Sequence, residues 1–162
     1  MSVTDDLLRN AERYAEAFDK GDLPLPPGRK VAVLACMDAR LDPAGVLGLA
    51  EGDAHVIRNA GGVLSDDAIR SLAISQNLFG TEEIILLHHT DCGMLTFTDD
   101  QFEEHLNEET GETPAWRAHA FSDLEEDVRS AIDGIKNSPF IPRKNVRGFV
   151  YDVQTGALRE VS

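Results

Sequence analysis

VAVLAC, residues 31–36, is a continuous apolar run rich in β-branched side chains, with no alternation of polar residues. A strand that turns neither face to water reads this way. Strands buried on both faces belong to mainly parallel sheets covered by helices. EIILLHH, residues 83–89, has the same character and is the strongest strand signal in the chain. HVIRNA, residues 55–60, is a third candidate strand and runs into Gly61 and Gly62.

Helical signals alternate with these strands. Thr4 can cap a helix with apolar residues at Leu7, Leu8, Ala11, Tyr14, Ala15 and Phe18, ending near Gly21. PLPPGRK (24–30) is a rigid connector, and Asp42-Pro43 offers an N-cap followed by proline at the first helical position. SDDAIRSLAISQNLFG (65–80) starts on capping residues and stops at glycine. Thr98 with Gln101, and Ser122 with Glu125, read as capping boxes, the second opening a helix to about residue 137. Residues 108–121 read as the one extended loop, and RGFVYDV, QTG and ALREV predict a closing hairpin. This order predicts an α/β fold: a single domain over 1–162, with a mainly parallel central sheet flanked by helices and a C-terminal antiparallel hairpin.

With 162 residues, 42% hydrophobic and 27% charged, the chain can bury one real core. Its net charge of -14 disfavours two polyanions as partners, nucleic acid and the anionic membrane surface. A small anion needs a locally positive site, such as a metal or a placed arginine. The longest apolar runs are too short to span a bilayer. The acidic, amphipathic N-terminal stretch has neither the basic start nor the apolar run of a signal peptide. The expected compartment is therefore the cytoplasm, where Cys36 and Cys92, the only cysteines, stay reduced.

Both cysteines fall in segments that carry chemistry. ACMDAR (35–40) sets Cys36, Asp38 and Arg40 at alternating positions, so an extended backbone turns all three to one spot. HTDC (89–92) ends another strand, and carboxyl ends of parallel strands form the crevice where ligands sit. Two thiolates and an imidazole suit zinc, with Asp38 as a fourth ligand or stepping aside for water. The thiolates already cancel the dication, and Arg40 offers Asp38 a competing bidentate partner, so a switch between the two is chemically reasonable. Taken singly, each signal has a bland reading: a buried cysteine is usually core, and an Asp-Arg pair is usually structural. Their conjunction is what points to a metal. The chain has no P-loop, GxGxxG or CxxC sequence to support nucleotide or redox chemistry.

ACMDARLDP, then VIRNAGG, then IILLHHTDCGM resemble the β-class carbonic anhydrases, whose C-x-D-x-R and H-x-x-C pattern is filled at every position. The resemblance runs from about residue 28 through the closing hairpin. It implies a zinc-dependent lyase that reversibly hydrates carbon dioxide to bicarbonate and a proton. By carry-over, Cys36, His89 and Cys92 hold one zinc ion per subunit, and Asp38 and Arg40 form a gating dyad in which Asp38 is the alternative ligand. Gly61 is implied near the substrate through its backbone amide. Family members build homodimers by exchanging an N-terminal helical arm, often paired into homotetramers, and residues 1–20 fit that arm.

The H-x-x-C spacing selects His89, leaving His88 to pack on the opposite face of the strand. PLPPGRK lacks the glutamine that plant-type members place before the first cysteine, and VAVLA lacks the tryptophan of a regulatory bicarbonate pocket. The first departure points to the short, archaeal-like or mycobacterial-like branch; the second means that no such pocket is expected. Two rival functions share the ligand set: hydrolysis of carbon disulfide or carbonyl sulfide, and a non-catalytic structural or metal-sensing zinc module closed permanently by Asp38.

Overall fold

The computed structural model describes residues 2–162. Its strands are β1 (Val31–Cys36), β2 (Ala54–Asn59), β3 (Glu83–His89), β4 (Asn145–Tyr151) and β5 (Leu158–Val161). They form one five-stranded sheet in the order β2-β1-β3-β4-β5. β1 pairs in parallel with β2 and β3, and β3 in parallel with β4; only β5 runs antiparallel, against β4. Every residue of β1 is buried, as its unbroken apolar run requires, whereas the edge strand β2 is only partly covered.

The helices are α1 (Val3–Glu16), α2 (Pro43–Leu47), α3 (Asp66–Phe79), α4 (Asp99–Thr110) and α5 (Leu124–Asn137). Their start signals mostly act as written. Ser65 accepts the Ala68 amide, and Thr98 and Gln101 exchange bonds in a capping box. Four helix boundaries differ from the sequence expectation. Ser2, not Thr4, caps α1, because the Asp5 carboxylate reaches back to the Ser2 amide, and the helix stops at Glu16, short of Gly21. Asp123, not Ser122, caps α5: its carboxylate accepts the Glu126 amide, and an ionised acceptor holds an amide more strongly than a hydroxyl does. α4 continues to Thr110 and closes on a left-handed Gly111, so the irregular segment begins later than residue 108.

Two apolar layers sandwich the sheet. On one face Ala32, Leu34, Ile84 and Leu86 pack under α3 (Ala68, Leu72) and α5 (Ala131, Ile135). On the other, Val33, Ala35 and Leu87 pack with Leu41, Cys36, Cys92 and Met94. From β1 the chain crosses to β2 on one side, and from β3 it leaves to β4 on the other. The carboxyl ends of β1 and β3 thus flank the point where the winding reverses, which is where open α/β sheets leave a crevice. α1 buries none of its residues, and Leu7, Leu8 and Tyr14 are exposed along it.

Candidate metal centre

Cys36 ends β1, His89 ends β3 and Cys92 lies in the turn after it, and the direct pairing of β1 with β3 joins them. All three are buried, and their ligand atoms lie within 4.8 Å of one another. His89 Nδ1 donates to the Thr90 carbonyl at 2.7 Å, which fixes the tautomer. That leaves Nε2 with a free lone pair, buried and, among the described residues, without a hydrogen-bond partner. An orphaned imidazole nitrogen facing two sulfurs is costly unless something fills the gap. The donor set, two soft sulfurs and one imidazole, suits zinc.

The electrostatics agree with a cation there. Cys92 donating to its sulfur holds the Cys36 thiol down to about 4; burial opposes this, while His89 and the backbone amides of Asp38 and Gly61 assist. The same contact, with burial, pushes the Cys92 thiol up. Burial works against charging His89, but the Cys36 sulfur, the Thr90 carbonyl and the Asp38 carboxylate outweigh it and raise its pKa. An environment that favours a positive charge on His89 favours one between the three donors.

Asp38 and Arg40 reach the site by a different route from the one their alternation suggested. The strand ends at Cys36, and residues 38–41 turn instead of extending. Asp38 Oδ1 accepts the Arg40 amide at 2.8 Å and Nε at 3.0 Å, while Oδ2 accepts Nη2 at 2.9 Å. A short carboxylate that captures the amide two residues on is a turn-former, and here it overrides the extended backbone. The Arg40 guanidinium and amide hold the Asp38 carboxyl well below the usual carboxylate range. Asp38 Oδ2 also stands 3.6 Å from His89 Nε2.

Gly61 and Gly62 follow β2 with φ of 88° and 63°, in the left-handed region that favours glycine. A Cβ on Gly62 would stand 2.8 Å from the Cys36 nitrogen, so the loop packs directly on the end of β1. This contact brings the Gly61 amide to the Cys36 sulfur. Asn59 latches the loop by exchanging two side-chain bonds with the Val63 backbone, each 2.9 Å.

Two residues not singled out in the sequence complete the frame. Arg58, on β2, donates to the carbonyls of Cys36, Asp38 and Leu41. Asp91 contacts Arg40 through both its carboxylate and its carbonyl. A charged residue inside a strand, and an aspartate between two ligand candidates, were the available signals. His88 points away from the three donors: it is buried, and its Nε2 lies 2.7 Å from Asp127 Oδ2 on α5. Beside the centre opens a largely apolar cleft of about 750 Å³, lined by Met37, Ala60, Val63, Met94, Phe97 and Trp116 together with polar side chains such as His105 and Arg117.

Residues 31–155 match the protein family described as carbonic anhydrase. Over 163 residues the chain is 58% identical to Beta-carbonic anhydrase 1 of Mycobacterium tuberculosis, covering 100% of this chain and 99% of that one. It is 35% identical over 181 residues to a carbon disulfide hydrolase of an Acidianus species, covering 96% of this chain and 87% of the relative. Its fold is similar to the crystal structure of a carbonic anhydrase from Streptococcus mutans, with a TM-score of 0.93 and 46% identity over 100% of this chain and 99% of that one.

Proposed function

The chain belongs to the β-class carbonic anhydrase family and is an enzyme of reversible carbon dioxide hydration; we propose that it works through one zinc ion per subunit held by Cys36, His89 and Cys92. The observation that carries this reading is the buried, unpartnered Nε2 of His89 facing the two sulfurs. When bound, the ion supplies Lewis acidity that makes water a nucleophile near neutral pH.

The surrounding residues supply the rest. The Thr90 carbonyl holds the His89 ring and leaves Nε2 free to bind. Asp38, ionised by Arg40, accepts the O–H of the incoming water and directs an oxygen lone pair toward the carbon of the substrate. Arg40 also keeps Asp38 away from the three donors, where a third anionic ligand would leave the site with net negative charge. Gly61, in the loop that packs on the end of β1, is assigned to the substrate end of the site, and the largely apolar cleft beside the donors suits an uncharged substrate. The proton leaves through water or buffer at the exposed Arg40 side of the site.

The exposed apolar face of α1 supports a homodimer or homotetramer in which residues 1–20 form an arm on a second copy, while residues 1–162 make up one domain. Among the described residues no helix is long and apolar enough to cross a membrane. We place the protein in the cytoplasm, where its two thiols remain available for metal.

Stopped-flow carbon dioxide hydration from about pH 7 to 9 on metal-quantified protein tests the reading, with carbon disulfide and carbonyl sulfide assayed beside it. Hydration with one zinc per chain is expected, strengthening toward alkaline pH because two thiolates acidify water less than imidazoles do. A zinc-loaded protein inert toward carbon dioxide across that range would sink the reading.

A further inference from the structure

The Asp38–Arg40 pair is local: its partners are two residues apart and share one turn, so their mutual bonds do not tie them to β3 or to the donor that follows it. The tie comes from Asp91, between His89 and Cys92. Asp91 Oδ2 accepts Arg40 Nη1 at 2.9 Å and its carbonyl accepts Nη2 at 2.9 Å, across 51 positions of sequence. Arg40 therefore spends Nε and Nη2 on Asp38, and Nη1 and Nη2 on Asp91, which fixes the plane of the guanidinium from two sides.

The backbone at Asp91 is built for this. Its φ is 54°, one of three left-handed non-glycine positions among the described residues. That conformation, which aspartate tolerates better than most residues, presents carbonyl and carboxylate together to one guanidinium. The ion pair is too exposed to matter much for stability: the Asp91 side chain is 80% accessible. Its consequence is geometric.

Resting on the gating role given above to Asp38 and Arg40, we propose that Asp91 is a positioning residue that registers this pair against the three metal donors. It acts through Arg40, and it shares one positive charge between two carboxylates, so Arg40 stays paired if Asp38 turns away.

The test compares Asp91→Gly and Asp91→Asn, both of which accept the left-handed backbone and keep the carbonyl contact. In the zinc-loaded protein, kcat/KM is expected to fall about tenfold in Asp91→Gly and less in Asp91→Asn, a scale typical of a misaligned catalytic group. Metal content and melting temperature should hold. In nitrogen-15 spectra the Arg40 Nη signals, separate in the parent protein, should merge in Asp91→Gly as the guanidinium begins to rotate. In an Arg40→Ala background, Asp91→Gly should add no further loss. Unchanged Arg40 signals, loss of metal in the Asp91 variants, or an equal further loss without Arg40 would each overturn the proposal. Full activity in Arg40→Ala alone would instead strike down the gating role, and with it anything for Asp91 to position.

Discussion

His89 Nε2 stands 3.6 Å from Asp38 Oδ2, yet that same oxygen is bonded to Arg40 at 2.9 Å. One carboxylate thus lies between the unpartnered imidazole nitrogen and a guanidinium, within a short movement of the three converging donors. On the gating role proposed above, Arg40 sets the balance between these two positions.

Arg40→Ala and Asp38→Ala should each lower carbon dioxide hydration by about a hundredfold, a loss typical of removing a positioned general acid–base or electrostatic group. Zinc content should stay near one per chain, because neither residue is among the three converging donors. Stopped-flow rates with metal analysis on the same samples check both halves.

Cys92→Ala should lose the metal itself. With two donors left, and protons competing at His89 and Cys36, retention should fall further as pH drops. Dialysis against a chelator followed by metal analysis at pH 8 and pH 6 reads this directly. Full zinc occupancy at both would remove Cys92 from the centre.

The Asp38 carboxyl titrates below its ordinary range because it is held by Arg40. A depressed folded pKa gives stability that is complete above the unfolded value, near 3.9, and is lost as pH falls through the folded value. Carbon-13 carboxyl spectra should show Asp38 still ionised at pH 3, and Arg40→Ala should return its titration toward the ordinary range.

Asp127→Ala tests His88 as a structural residue. It removes the partner of a buried imidazole on the face away from the donors. A loss of about 1–3 kcal/mol is expected for an unpaired buried polar group. Chemical denaturation measures it, and zinc content should be unaffected.

Gly62→Ala should be worse than an ordinary surface change. The new Cβ meets the Cys36 nitrogen at 2.8 Å, in a backbone conformation with φ of 63°. The strain of a left-handed non-glycine residue alone is of order 1–3 kcal/mol. The loop can relieve the clash only by moving off β1, so zinc affinity should weaken together with stability, measured by chelator competition and thermal melting.

Much of this protein follows from local pattern. The unbroken apolar run of 31–36 implies a strand buried on both faces, and a parallel, helix-covered sheet follows from it. Strand periodicity alone separates His88 from His89, because successive side chains leave opposite faces. The spacing of Cys36, His89 and Cys92 names the three residues whose ligand atoms the structure brings together. Helix starts were readable to within a residue or two, and failed where two capping residues competed, as at Ser122 and Asp123.

Tertiary structure decided the rest, for a physical reason common to each case. Alternation brought Asp38 and Arg40 to one spot only on an extended chain, but the Asp38 carboxylate made a turn of that segment by taking the Arg40 amide. The bonds of Arg58 to three carbonyls and of Asp91 to Arg40 span 17 to 51 positions, beyond any periodicity. Sequence pattern reports which residues share a face of one element. Which elements meet, and so which charges face one another at the end of β1 and β3, depends on sheet order, and that was set only when β3 chose β1 as its neighbour.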